Sequence, residues 1–215
     1  ALGFLKYLEK RIDFNKISFI HSNGSSIDFG AYIYREKRIS HIWHVRDFYL
    51  FNKKWPPLVK KLPQYMEKNS TLIITVSNAL RECMIQQGFS PEKIKTIYDG
   101  IEIDGTLDEQ KFLSPIKEKL NVACVGQLSQ LKGQEILIEA IAKMSEQERS
   151  CFKFDFYGDF LPGERNRIIK KVNRFHLENQ IHFKKKKKNI SKILPFYDIG
   201  IQPSHSEGFS RVTVG

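Results

Sequence analysis

Residues 121–144 have the sequence NVACVGQLSQLKGQEILIEAIAKM. The apolar run at 121–125 has the length of a buried strand, and Gly126 and Gly133 bound the turn that follows. Beyond the turn, apolar residues recur at helical spacing. They predict a single apolar stripe formed by Ile136, Leu137, Ala140, Ile141 and Met144. A strand followed at once by a helix is the repeating unit of an α/β fold.

Strand-sized apolar runs alternate with helical segments along the rest of the chain. We predict strands at residues 17–20, 39–45, 72–76, 94–97, 152–157, 181–183 and 198–202. We predict helices at residues 27–38, from about 58, 78–87, 164–175 and 191–196. Residues 99–119 break the alternation and are interpreted as a linker. The pattern predicts two doubly wound parallel-sheet domains, at residues 1–100 and 101–215, with ligands beyond the carboxyl ends of the strands.

The composition is that of a globular protein with an excess of positive charge. Hydrophobic residues make up 41% of the chain, and no apolar run approaches the roughly 20 residues of a membrane-spanning helix. The opening residues do not have the pattern of a signal peptide, and the three cysteines lack metal-ligand spacing, so we expect a cytoplasmic protein with reduced thiols. The net charge of +11 favours an anionic partner: nucleic acid, anionic lipid or a phosphorylated small molecule.

The turn at residues 125–133 has the properties of a diphosphate site. Gly126 allows a ligand to approach the backbone, while Gln127 and Lys132 supply side-chain donors. The helix that begins after Gly133 directs free N–H groups and the positive end of its dipole at the same place. The alternative is an ordinary strand-to-helix turn with a solvated lysine. The spacing of a Walker loop is absent.

The segment at residues 199–212, IGIQPSHSEGFSRV, predicts a second binding loop at the end of a strand. The carboxylate of Glu207 can accept two hydrogen bonds from paired sugar hydroxyls. The backbone amides of Gly208, Phe209 and Ser210 would open the next helix and face a phosphate. The alternative is a capped loop in which the glutamate is only solvated. We expect this loop and the turn at 126–133 to share one pocket.

Together these segments resemble the retaining GT-B glycosyltransferases of family 4, in the bacterial capsule and O-antigen group. The first matches V-G-(R/Q)-L-x-x-x-K-G, and the second matches D-I-x-x-x-P-S-x-x-E-G-F-(G/S)-x-V. ITVSN at 74–78 and IYDGI at 97–101 resemble two further landmarks of the family. HIWHVRDF at 41–48 resembles the acceptor-side segment. The order and spacing of the five landmarks also fit.

The resemblance implies a fold, a reaction and residue roles. The fold would be GT-B-like, with two Rossmann-like domains, and the donor would be a UDP- or GDP-sugar. Gln127 and Lys132 would neutralise the leaving diphosphate, Glu207 would hold the donor sugar, and His44 would face the acceptor or the transferred sugar. A histidine bonded to nearby loop backbone is the alternative for His44. The reaction would retain anomeric configuration by front-face attack, require no metal, and serve cell-surface polysaccharide synthesis.

Three departures from the family pattern favour a chain truncated at both ends, with two incomplete domains. The position of a second glutamate, which would bind ribose, is Gly215, the last residue. The first domain has fewer strands than the family normally shows. Lys184 and four further lysines follow Phe183, where the family has a glycine, and Asp99 replaces an asparagine. We therefore expect weak or no transferase activity from these 215 residues alone.

Two basic segments suggest contact with an anionic membrane. Residues 53–61 mix lysines with Trp55 and Leu58, and residues 184–188 are five consecutive lysines, for which a solvated surface is the simpler interpretation. A peripheral position at the inner membrane face would suit a lipid-linked or other saccharide acceptor. The alternative functions are a noncatalytic GT-B-like remnant or partner subunit, and a basic nucleic-acid-binding protein. The chain contains no recognised nucleic-acid-binding motif, so we expect no nucleic acid as partner.

Overall fold

The computed structural model describes residues 2–48, 61–101 and 117–214. The chain forms two compact units. Unit 1 comprises the described residues up to Gly100 together with Glu207–Phe209. Unit 2 comprises the other described residues, from Ile101 to Ser206 and from Ser210 onward.

Several parts of the sequence interpretation lie outside the described residues. They are the helix start near Leu58, nearly all of the basic segment 53–61, most of the linker at 99–119, and Gly215. These parts remain sequence predictions.

Unit 1 contains a four-stranded parallel sheet with helices between the strands. The strands are β1 (Phe19–Asn23), β2 (Ser40–Val45), β3 (Leu72–Thr75) and β4 (Ile94–Thr96), adjacent in that order. The helices are α1 (Leu2–Glu9), α2 (Phe29–Lys37), α3 (Leu62–Lys68) and α4 (Asn78–Gln86). Short 3₁₀ turns occupy Phe14–Lys16 and Pro91–Lys93.

Alternation along β2 shows how the sequence builds this sheet. His41, Trp43 and Val45 are buried, whereas the residues between them are partly or fully exposed, as expected when successive side chains point to opposite faces. Trp43 and Val45 pack in an apolar core with residues from α2, α3 and α4. His44 therefore lies on the opposite face from the tryptophan, near the carboxyl end of the strand.

Unit 2 repeats the same architecture. Its strands are β5 (Leu120–Val125), β6 (Phe152–Tyr157), β7 (Ile181–Lys184) and β8 (Ile199–Ile201), arranged in the order β7-β6-β5-β8 and all parallel. Its helices are α5 (Gln134–Lys143), α6 (Glu146–Ser150), α7 (Glu164–Arg174) and α8 (Arg211–Val214). Short 3₁₀ turns occupy Gln130–Lys132, Ile190–Lys192 and Leu194–Phe196. Two parallel α/β sheets confirm the predicted fold class.

Two local predictions in unit 2 were wrong. Residues 191–196 form two 3₁₀ turns rather than one helix, because Pro195 lacks the backbone N–H that a continuous α-helix would use. On α5 the apolar stripe is rotated: Ile136 is 45% exposed, whereas Gln134 lies in the buried row with Leu137, Ile138 and Ile141. The turn before the helix needs a buried polar group, and Gln134 supplies it.

All strands in unit 2 run in one direction, so their carboxyl ends share an edge. Val125 pairs with Tyr157, and Tyr157 pairs with Lys184, while Cys124 pairs with Ile201. The loops that follow β5, β6, β7 and β8 therefore begin along the same edge. This is the edge where α/β sheets bind ligands.

Candidate functional site

The turn after β5 has a fixed backbone. The Gly126 N–H donates to the carbonyl of Tyr157 at 2.9 Å, and the Leu128 N–H donates to the carbonyl of Asp159 at 3.0 Å. Gly158 is essential to this contact, because a Cβ there would lie 1.9 Å from the Gly126 carbonyl oxygen. The start of the β5 turn is thus held against the loop that follows β6.

The buried side chain of Gln134, the first residue of α5, bonds to the backbone of the same turn. Its Nε2 donates to the carbonyl of Gln127 at 3.2 Å, and its Oε1 accepts from the Ser129 N–H at 3.3 Å. The side chain of Gln134 is 1% exposed, so neither bond is in open competition with water. A single buried amide therefore fixes two backbone groups of the turn.

The end of the turn packs against the loop after β8. Gly133 has φ +69°, and a Cβ there would lie 2.0 Å from the carbonyl oxygen of Pro203. The His205 N–H donates to the carbonyl of Leu131 at 3.0 Å. Only a glycine fits at this approach. The turn at 126–133 and residues 203–205, which lie within the predicted binding segment 199–212, are therefore in direct contact within unit 2.

The predicted donor-binding side chains occupy this same region. Gln127 is exposed, and Lys132 is partly buried. Carbons Cγ and Cδ of Lys132 lie 3.9 Å from where a Cβ on Gly126 would stand, so the lysine stem runs beside the open glycine backbone. The chain thus places a cation and a bare backbone face side by side at the start of α5.

Ser210 belongs to unit 2 and is bonded to the end of β8. Its Oγ donates to Oε1 of Gln202 at 2.8 Å and lies 2.8 Å from Oγ1 of Thr213. Thr213 also donates to the Gln202 Oε1 at 3.2 Å. The Ser210 hydroxyl therefore has protein partners, and its predicted phosphate contact would use the backbone amide.

Glu207, Gly208 and Phe209 belong to unit 1. A Cβ on Gly208 would lie 2.1 Å from the carbonyl oxygen of Arg46, so only glycine fits there. The ring of Phe209 lies 6.0 Å from that of Tyr98 and packs against the unit 1 core. Glu207 is partly buried. The tripeptide is thus close to the β2 end that carries the predicted acceptor-side residues.

His44 is joined to a second histidine that the sequence interpretation missed. Nε2 of His21 lies 3.2 Å from Nδ1 of His44, and the two rings are stacked with centroids 5.3 Å apart. Nε2 of His44 is shielded from solvent and has no hydrogen-bond partner among the described residues. The side chain of His44 therefore bonds to a side chain on β1, while its backbone carbonyl accepts from the Gly24 N–H at 2.9 Å.

The charged residues next to His44 each have a partner. Arg46 forms an ion pair with Asp99, and the Ser25 hydroxyl donates to Asp47 Oδ1 at 2.9 Å. Burial lowers the pKa of His44, the positive charges of Arg46 and His21 lower it further, and Asp99 offsets part of the shift. We therefore expect a neutral His44 at neutral pH.

Other parts of the described ranges lack the features of a second binding site at the predicted residues. A cavity of about 470 Å³ in unit 1 is lined mainly by residues 9–15 and contains none of the predicted site residues. Within residues 2–48, 61–101 and 117–214, no cluster of three or more His, Cys, Asp or Glu side chains is arranged to hold a metal ion. No helix in these ranges has the length and apolarity needed to cross a bilayer.

Comparison with known proteins gives relatives for both units. The chain is 28% identical to an uncharacterized 41.2 kDa protein in the cps region of Klebsiella pneumoniae, over 95% of this chain and 59% of that protein. It is 25% identical to the capsular polysaccharide biosynthesis glycosyltransferase CapH of Staphylococcus aureus, over 95% of this chain and 57% of that protein. The chain thus spans somewhat more than half the length of these relatives.

Solved structures show the same architecture. Anabaena HepE, crystallised with UDP and glucose, superposes with a TM-score of 0.78 at 23% identity, over 100% of this chain and 61% of that one. This likeness, with the two parallel sheets, identifies the fold as GT-B-like. Residues 1–104 match the family described as Glycosyltransferase Family 4, and residues 107–214 match the family described as Glycosyl transferases group 1. The chain belongs to the glycosyl transferases group 1 family.

Proposed function

We propose that the protein transfers a sugar from a UDP- or GDP-sugar to a saccharide or lipid-linked acceptor, with retention of anomeric configuration, in the synthesis of a cell-surface polysaccharide. The observation that carries the proposal is the contact between the turn at 126–133 and the loop at 203–205. Both segments match landmarks of the family, and both follow strands that end at the sheet edge where a ligand is expected.

The proposed chemistry follows from the turn. Lys132 and the first amides of α5 would stabilise the negative charge that grows on the leaving diphosphate. Because these groups are fixed by Gly133, Gly158 and Gln134, they need little rearrangement when that charge develops. We propose a reaction without a metal ion, in which the cationic lysine neutralises the negative charge of the leaving diphosphate.

The proposed roles in unit 1 concern the sugar. Glu207 would accept hydrogen bonds from sugar hydroxyls, and Gly208 and Phe209 would present backbone amides beside it. His44 would contact the transferred sugar or the acceptor through Nε2. Since Nε2 is enclosed, the atoms that cover it would have to move when the ligand binds.

The relatives support the nature of donor and process. HepE was solved with UDP and glucose, and CapH takes part in capsular polysaccharide biosynthesis. We propose that this protein likewise uses a nucleoside diphosphate sugar in the cytoplasm, at the inner face of the membrane. Lys185–188 are exposed after β7 and would add attraction to anionic lipid.

The test is turnover by the intact protein with a panel of UDP- and GDP-sugars. We expect one donor to be consumed in EDTA, and we expect the product's anomeric proton to keep the configuration of the donor. Lys132→Ala should lower kcat/KM by about 100-fold or more, whereas Lys143→Ala, an exposed lysine on α5, should leave it unchanged. Nucleotide binding without turnover of any donor would favour the noncatalytic relative instead.

A further inference from the structure

The contact between His21 and His44 fixes which nitrogen of His44 faces a ligand. A neutral imidazole carries one proton, and the hydrogen bond at one nitrogen decides whether the other is a donor or an acceptor. Nδ1 of His44 is engaged by Nε2 of His21 at 3.2 Å. Nε2 of His44 is the atom left without a partner among the described residues.

We propose that His21 is a positioning residue for His44. Its Nε2–H donates to Nδ1 of His44, holds the ring in place, and keeps the proton of His44 on Nε2. That N–H is then directed to donate to a sugar hydroxyl or phosphate oxygen of the substrate. This inference rests on the proposed function, in which His44 contacts the transferred sugar or the acceptor.

The surrounding charges favour the neutral form of His44. The groups that act on His44 are His21 from β1, Arg46 from β2 itself, and Asp99 from the segment after β4, which is paired with Arg46. A proton added to the His44 ring would meet the positive Arg46 nearby, and a proton on both rings would place two like charges in contact. Loss of His21 removes one of the two groups that oppose protonation of His44.

The direct test is a long-range proton–nitrogen NMR spectrum of the histidine rings of the intact protein. We expect wild-type His44 to show one tautomer, with the proton on Nε2. His21→Leu should give mixed tautomers and move the His44 titration to higher pH. His21→Gln, which restores an N–H donor, should recover the single tautomer. His176→Asn, at an exposed position with positive φ that Asn tolerates, is the matched control and should change nothing at His44.

The second test is the pH profile of kcat/KM. His21→Leu should lower kcat/KM at pH 7.5 by about 10-fold, with partial rescue by His21→Gln. The acid limb should also move to higher pH. An unchanged His44 spectrum in His21→Leu, or a wild-type His44 with its proton on Nδ1, would overturn the inference. Absence of turnover with every donor would defeat the proposed function, while the NMR spectrum would still decide the role of His21.

Discussion

Replacement of Gln134 by leucine tests whether the turn after β5 is both rigid and functional. The substitution keeps a similar volume but removes the bonds to the Gln127 carbonyl and the Ser129 N–H. Ser129 is buried, so its N–H would lose its partner at a cost of about 2 kcal/mol. Gln127 is exposed, so its carbonyl can find water, and the total loss should be about 2–3 kcal/mol.

The assay combines urea unfolding, followed by circular dichroism, with calorimetric titration of UDP and GDP. Gln134→Leu should weaken the affinity for the nucleotide by about 10-fold or more, because the amides and Lys132 are no longer held in one geometry. The control is Ile138→Ala, which leaves a cavity under the same helix and should cost about 2–5 kcal/mol without removing either hydrogen bond from Gln134 to the turn.

The comparison separates general destabilisation from a local effect on binding. We expect Ile138→Ala to bind nucleotide with unchanged affinity at temperatures where it is folded. The reasoning is refuted if Gln134→Leu loses stability but binds nucleotide as the wild type does. It is equally refuted if both variants lose affinity in proportion to their loss of stability.

Three further predictions concern stability. Gly133→Ala should destabilise unit 2 by at least about 2 kcal/mol more than Gly163→Ala. Both glycines have positive φ, but only a Cβ at Gly133 meets a backbone carbonyl. Equal losses of stability in thermal unfolding would show that this contact is unimportant. Burial lowers the pKa of the fully buried His41 in the folded protein. Below about pH 6.5 the unfolded chain therefore binds a proton at His41 that the folded chain does not bind. The free energy of unfolding should fall as the pH decreases from about 6.5 towards the pKa of the folded state. Urea midpoints that are equal at pH 7.5 and 5.5 would contradict this. Tyr197→Phe removes the hydroxyl that donates to the buried carboxylate of Asp155 and should lower the free energy of unfolding by about 1–3 kcal/mol. An unfolding midpoint equal to that of the wild type would show that this hydrogen bond does not stabilise the fold.

The sequence predicted the architecture because the alternation of strands and helices is a local signal. Strand β6 begins and ends where the apolar run at 152–157 does, and helix α4 follows the predicted segment 78–87 to within one residue. Two parallel sheets follow from that alternation alone. The motif spacing also singled out the turn at 126–133 and the loop at 199–212, and residues 203–205 of that loop contact the turn. The expected pocket between the turn and residues 207–210 stays a prediction.

Tertiary contacts decided what the sequence did not predict. Gln134 looked like a surface residue at a helix start, and only the fold shows that its amide lies under the turn. His21 had no motif, because its significance comes from the pairing of β1 with β2. Arg46 sits next to Asp47 in sequence, yet its ion pair is with Asp99, 53 residues away.

The central claim is that the turn after β5 holds a nucleoside diphosphate. Backbone amide NMR of the intact protein during titration with UDP, and then with GDP, tests it most directly. We predict that one nucleotide shifts the amide signals of residues 126–134 and 204–206 first and most strongly. Shifts confined to the lysine run at 184–188, or to the cavity lined by residues 9–15, would contradict the claim.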